Sequence, residues 1–187
     1  MNFIFEGIDN VGKTTQIKLL LGELAKKALV HVIHYQAIPG MDPADAKMYS
    51  SKLYMDMFSL IIDRIPNYRY YILDRSHIGE FVYGHIYRKY DPSYIFAIED
   101  KFSMLPMWNQ TFLITLLDQP EAVISRDDGK SFSTEIMKKK LEIDRFIEAT
   151  DRSSIPHKLT IFNNERSIVD IHMIIKNFLI DRGGIEV

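Results

Sequence analysis

Apolar residues in this chain fall into short dense runs separated by stretches where they recur every three or four positions, the mark of strands alternating with helices. Residues 2–5 form a short β-rich run, Ile17, Leu20, Leu21 and Leu24 follow at helical spacing, and VHVIHY at 30–35 returns to strand character. Farther along, 44–62 predicts a helix, 68–73 a strand, and a long helical region broken near Asp91-Pro92 runs to about residue 105. TFLITLL at 111–117 is another apolar run, closed by Asp118 and Pro120. After it come a helical stretch from Glu121, the polar segment RDDGKSFS at 126–133, a charged helix over about 134–150, a strand at 158–162 and a last helix over about 167–180. Strands that alternate with helices call for an α/β architecture, a parallel sheet covered on both faces. No repeat or flexible linker divides the chain, so residues 1–187 are expected to be one domain.

Composition narrows the function. The 187 residues suffice for one full core, and a net charge of -2 gives no general attraction to polyanions. The absence of cysteine excludes disulfides and thiolate metal sites. MNFIFEGIDN has too short an apolar run before Glu6 for a secretory leader, and no stretch approaches the roughly 18 apolar residues of a membrane span. A soluble cytoplasmic protein with no membrane partner is the expectation.

Between the first strand and first helix stands Gly7-Ile8-Asp9-Asn10-Val11-Gly12-Lys13-Thr14, which fits G-x-x-x-x-G-K-[ST] in the strand-to-helix context that motif needs. The glycines let successive backbone N–H groups, those of Asn10, Val11 and Gly12 among them, curl around a phosphate at the positive end of a helix. Lys13 would reach the outer phosphates of ATP and Thr14, with Thr15 beside it, would place a hydroxyl on Mg²⁺. A second constellation, Asp74-Arg75, closes the 68–73 strand, where side chains point into the crevice at the strand ends. Asp74 there can hold a metal's water shell or take a proton, and Arg75 can brace a phosphate through its planar fork.

FEGIDNVGKTT resembles the phosphate loop of thymidylate kinases, whose pattern carries an acidic residue where Asp9 stands. LDRSHIGEFVYG resembles their D-R-[YHS] segment, and LDQPEAVISRDDGKS their following strand, helix and arginine-bearing lid. The segments match in order over most of the chain. The resemblance implies a three-layer P-loop kinase fold with a five-stranded parallel sheet flanked by helices. It also implies ATP and Mg²⁺ as cofactors, and transfer of the γ-phosphate to a pyrimidine deoxynucleoside monophosphate, dTMP or a 5-substituted analogue. The small, divergent look is that of viral or phage members, which would act in the host cytoplasm. Because thymidylate kinases are commonly dimers, a homodimer is a further expectation.

Carried over by position, Asp9 would touch the acceptor sugar or the phosphate-bracing arginine, and Arg75 would brace the transferred or accepting phosphate. Arg126 and Lys130 would close over it as a lid at about 126–133, and Asn163 or Asn164 would lie beside the donor adenine. Asp74 joins Thr14 as a metal-side residue. Deoxynucleoside kinases are also similar: their E-R-S motif matches Asp74-Arg75-Ser76 with one carboxylate shortened, and Glu80 falls where they place a base-contacting acid. Tyr83 keeps the expected aromatic.

Departures bear on the acceptor. YQAIPG at 35–40 replaces the usual arginine-proline-glycine-glycine loop, with Gln36 where charge is expected. Gly79 and Gly84 stand where thymidylate kinases carry a serine and a glutamine, which predicts a roomier acceptor pocket. Two other functions fit these departures: a kinase acting on a hydroxyl, of 5-hydroxymethyluracil in DNA or of a deoxynucleoside, and a non-catalytic nucleotide-binding module. Elsewhere the plain reading holds: His77 as a surface or helix-start residue, Lys138 to Lys140 as a solvated helix face, and the aromatic and methionine residues of 49–58 as core.

Overall fold

The computed structural model describes residues 1–35, 41–63 and 69–186. The chain runs β1 (Asn2–Gly7), α1 (Lys13–Leu24), β2 (Val30–His34), α2 (Pro43–Asp63), β3 (Tyr70–Asp74), α3 (His77–Ile86) and α4 (Tyr94–Ser103). A short 3-10 turn at Pro106–Gln110 leads into β4 (Thr111–Leu117), followed by α5 (Pro120–Ser125), α6 (Ile136–Arg152), β5 (His157–Phe162) and α7 (Ile168–Asp181). The five strands are all parallel, in the order β2-β3-β1-β4-β5.

Every residue of β1 and of β4 is buried, whereas β2 and β5 at the edges are partly exposed. Central strands of a parallel sheet are covered on both faces, which is why these two read as near-continuous apolar runs. The polar residues there have partners: Asn2 donates to the Thr111 hydroxyl at 3.2 Å, Thr115 pairs with Thr150 at 2.8 Å, and Glu6 accepts from Ser76 and Gly79. On one side α1 packs on β1, β3 and α7; on the other α3 and α6 pack together over β1 and β4. Chain order reverses at β1, because the chain goes out to β2 and β3 on one side and then crosses to β4 on the other. That reversal opens the crevice at the carboxyl ends of β1 and β3 in which such folds bind ligands.

Local signals account for the helix boundaries. Ser76 caps α3 by accepting from the Ile78 amide, and Ser167 with Asp170 forms a reciprocal capping box at the start of α7. Pro92 separates α3 from α4, as the sequence predicts. β1 runs two residues farther than its apolar run, because Glu6 is accommodated inside the sheet. The expected strand residue Tyr68, and Gln36 with the rest of 36–40, lie outside the described residues.

The core centres on Phe58, whose ring lies 4.9 Å from His77, 5.3 Å from Phe102 and 5.5 Å from Trp108. Truncating such a ring costs about 3–5 kcal/mol. Tyr54, Met57 and Phe58 of α2 belong to this core, but Met48 and Met55 face outward. Two plain readings need correction. His77 does start a helix, yet it is wholly buried and paired with Glu99 at 3.1 Å, whose other oxygen accepts from Ser153 and Ser154. Lys139, in the middle of the lysine run, is also buried: it points inward to Glu142 at 3.0 Å, and Tyr87 donates to the same carboxylate.

Candidate active site

The loop between β1 and α1 is shaped by two glycines for different reasons. At Gly7, with φ 133°, a Cβ would stand 1.9 Å from the Leu116 carbonyl oxygen, so the loop can leave the sheet here only without a side chain. Gly12, with φ 92°, has open space around it but holds the left-handed turn that starts α1. Asn10 is also left-handed, with φ 59°. The Lys13 ammonium curls back over this loop and donates to the Gly7 carbonyl at 2.9 Å and the Ile8 carbonyl at 2.6 Å. Burial, reinforced by the nearby Arg75 charge, brings Lys13 down to about 7.

Across the crevice, β3 ends at Asp74, and Arg75 adopts a left-handed backbone with φ 74°. Such a conformation costs about 1–3 kcal/mol and persists where the surroundings enforce it. Here its amide donates to the Phe5 carbonyl while its guanidinium pairs with Asp9 and lies 5.9 Å over the Tyr83 ring. Burial works against the Arg75 charge, but Tyr83, Asp9 and Glu6 more than offset it and hold the guanidinium protonated. The Asp74 carboxylate accepts from the His34 imidazole at 3.0 Å, so the ends of β2 and β3 meet at that carboxylate.

Glu6 supports this junction from below. It is wholly buried, and one of its oxygens accepts from the Ser76 amide at 2.5 Å, the Ser76 hydroxyl at 2.8 Å and the Gly79 amide at 3.0 Å. Burial pushes its carboxyl up, against the pull of Arg75, Ser76, Gly79 and Lys13. Motif reading missed Glu6; the available signal was a charged residue inside an otherwise apolar central strand.

The 126–133 segment closes the third side. Asn10 donates to Asp127 at 3.0 Å and to Ser131 at 3.2 Å, tying this segment to the loop between β1 and α1. Arg126 donates to Asp118 at 2.6 Å, Lys130 is exposed beside Asp128, and the Phe132 ring stacks on Tyr87 at 4.9 Å. Together these elements enclose a cavity of about 820 Å³, within the usual range for small-molecule sites.

Of the residues expected at the site, Asp9, Asn10, Val11, Gly12, Lys13, Thr14, Asp74, Arg75, Gly79, Glu80, Tyr83, Arg126 and Lys130 line this one cavity. Gly7 contributes through its carbonyl to Lys13, and Thr15 is exposed one position along α1. Asn163 is not in the cavity wall; its amide donates to the Leu117 carbonyl at 2.7 Å, tying the end of β5 to β4.

The roomier pocket expected from the two glycines is not there. A Cβ at Gly84 would meet Pro92 and Tyr90 at 3.1 Å, and one at Gly79 would meet the Glu6 carboxylate at 3.3 Å. Both positions are bare because neighbours already fill the space. Nor is Glu80 open to a base: its carboxylate is covered and bonded to Arg88, Tyr90 and Tyr94.

Among the described residues no cluster of three histidine or carboxylate side chains is placed to hold a metal. Thr14 and Asp74 nevertheless fit Mg²⁺, which takes one or two protein oxygens and completes its shell with water and substrate phosphates. Both line the cavity, and only one Asp74 oxygen is engaged by His34.

No protein-family model and no curated protein matches the sequence. Among solved structures, YorR from Bacillus subtilis, in complex with phosphorylated GDP, superposes with a TM-score of 0.65 at 18% identity over 100% of both chains. Thymidylate kinase from Candida albicans gives 0.69 at 16% identity, over 98% of this chain and 92% of that one. Thymidylate kinase from Ehrlichia chaffeensis gives 0.63 at 19% identity, over 96% and 97%. The fold is therefore the α/β fold of thymidylate-kinase-type P-loop kinases, and at these identities the likeness is one of fold.

Proposed function

We propose that the protein is an ATP-dependent phosphotransferase that moves the γ-phosphate to a pyrimidine deoxynucleoside monophosphate, dTMP or a 5-substituted analogue. The observation that carries this reading is the convergence of the Lys13 loop, the Asp74-Arg75 strand end and a lid bearing Arg126 and Lys130 on one cavity. The nucleotide kinases among the structural neighbours, and the nucleotide bound to one of them, support it.

Such a transfer rests on positioning and on offsetting charge rather than on covalent chemistry by the protein. Lys13 would leave the Gly7 and Ile8 carbonyls and turn to the outer phosphates, where regained charge is useful. Arg75, already fixed by Asp9 and the Tyr83 ring, would brace the phosphate in transit, and Arg126 and Lys130 would approach it from the lid. Thr14 and Asp74 would hold Mg²⁺, which when bound offsets charge on the transferring group. The Asn10 contacts with Asp127 and Ser131 would keep water out by holding the lid down.

A hydroxyl acceptor is the second reading, and the Asp74 carboxylate lining the cavity beside His34 favours it, since a hydroxyl needs a carboxylate to take its proton. ATP consumption with Mg²⁺, measured against dTMP, 5-hydroxymethyl-dUMP, thymidine and DNA carrying 5-hydroxymethyluracil, separates the two. Turnover on a monophosphate is expected. Turnover only on thymidine or DNA makes Asp74 the base and refutes the monophosphate reading; ATP binding without turnover on any of them leaves a nucleotide-binding module.

A further inference from the structure

Arg88 lines the cavity but belongs to no motif. It follows the end of α3, and its side chain is 16% exposed, facing the wall that Glu80, Tyr83 and Tyr54 also form. That wall joins Arg75 through Tyr83, whose ring lies 5.9 Å from the Arg75 guanidinium, so an acceptor nucleotide held by its phosphate on Arg75 would lay its base along it.

Motif comparison would give base reading to Glu80, but its hydrogen bonds forbid that. One oxygen accepts from the hydroxyls of Tyr90 and Tyr94, the other from a terminal nitrogen of Arg88, and the side chain has no exposure. Gly84 makes this arrangement possible, since only a bare position lets Tyr90 and Pro92 lie against α3. Arg88 is the opposite case. Only one of its three nitrogens is engaged, donating to Glu80 and, at 3.4 Å, to the Tyr90 hydroxyl. Its Nε and second terminal nitrogen donate to no acceptor among the described residues. A guanidinium has donors and no acceptor, so what Arg88 presents to a ligand is a fixed pair of N–H groups.

We infer that Arg88, held in place by Glu80, reads the acceptor base and selects bases with a carbonyl oxygen at that edge over bases with an amino group. This rests on the reading of the cavity as a nucleotide acceptor site, and it widens the acceptor class by edge chemistry rather than ring size. Uracil, thymine and guanine satisfy the Arg88 donors, whereas cytosine and adenine set an amino donor against them. A hydrogen bond to a charged group contributes about 1.5–3 kcal/mol, which corresponds to a preference of about ten- to a hundredfold.

The test is calorimetric binding of dUMP, dCMP, dGMP and dAMP to the wild-type protein and to Arg88→Met, with turnover of each measured in parallel. The pairs dUMP/dCMP and dGMP/dAMP probe carbonyl against amino at the base edge within one ring size. The wild type should bind dUMP and dGMP about ten- to a hundredfold more tightly than their amino counterparts. Arg88→Met should bring both ratios near unity without changing ATP affinity. Should loss of the Glu80 partner prevent folding, the double variant Glu80→Gln, Arg88→Met removes the buried charge as well and should show the same collapse. Equal wild-type binding within each pair overturns the inference. So does an equal loss for all four nucleotides in Arg88→Met, which would mark a phosphate clamp. Absence of turnover on these four and on dTMP, with the binding ratios intact, would overturn the phosphotransferase reading and leave the role of Arg88 standing; failure of all four and of dTMP to bind overturns both.

Discussion

Replacing Lys13 by methionine should abolish phosphate transfer and yet stabilise the ligand-free protein. Among the described residues the ammonium has only the Gly7 and Ile8 carbonyls as hydrogen-bond partners, and burial together with the Arg75 charge brings it from 10.5 to about 7. That difference is about 3.5 pKa units at about 1.36 kcal/mol each, a ceiling near 5 kcal/mol for the cost of keeping the charge in the fold. The neighbouring cavity admits water and softens the penalty, so a net gain of about 1–3 kcal/mol is expected for Lys13→Met, or roughly 3–10 °C in Tm for a chain of this size. The pH dependence identifies the cause. Between about 7 and 10.5 the unfolded chain holds a proton on Lys13 that the folded chain has lost, so wild-type stability rises with pH across that window. The advantage of the variant is therefore greatest at pH 7 and below, and fades toward pH 10. Thermal melts of both proteins at pH 7, 8.5 and 10, with turnover measured alongside, test this. A variant less stable than the wild type at pH 7, by an amount that does not vary with pH, would refute the reasoning; so would retained turnover, against an expected fall of about a thousandfold or more.

Asn10→Ala removes both bonds to the 126–133 segment, each worth about 0.5–1.5 kcal/mol, and should lower Tm by a few degrees and weaken ATP binding several-fold in a titration. Gly84→Ala drives a methyl against Pro92 and Tyr90, and should cost about 1–3 kcal/mol in chemical denaturation without improving use of 5-substituted acceptors. Burial raises the Glu99 carboxyl, but His77, Ser153 and Ser154 outweigh it and hold the group below 4.5, so its stabilisation is present above that pH and is lost as pH falls through the folded value. Glu99→Ala should accordingly cost about 3–5 kcal/mol at pH 7 and flatten the acid limb of the stability profile.

What could be read from the sequence is what lies close together in it. The loop at 7–14 is eight consecutive residues whose spacing is itself the geometry, and Asp74-Arg75 is marked by its place at a strand end. Glu6 and Arg88 were missed because their roles are set by tertiary partners: Glu6 by Ser76 and Gly79 across the sheet, Arg88 by a carboxylate eight positions back. Glu80 shows the converse failure, since alignment gives it a ligand while the fold has used both its oxygens. Lys139 looked solvated among its charged neighbours, but the phase of α6 turns it inward to Glu142. The glycines at 79 and 84 were read as space because sequence shows the missing side chain and not the neighbour that occupies its volume.

Four of the cations around the cavity are already matched with a carboxylate: Arg75 with Asp9, Arg88 with Glu80, Arg126 with Asp118 and Lys130 with Asp128. Phosphate binding in such a place is an exchange reaction rather than an attraction to bare charge. An arriving phosphate must share an arginine or lysine with its carboxylate, and that carboxylate then wants a second cation, which the Mg²⁺ that travels with ATP can supply. Metal and nucleotide would therefore be cooperative ligands, and a pyrophosphate offered without Mg²⁺ would meet cations already shared with carboxylates although the site is sterically open.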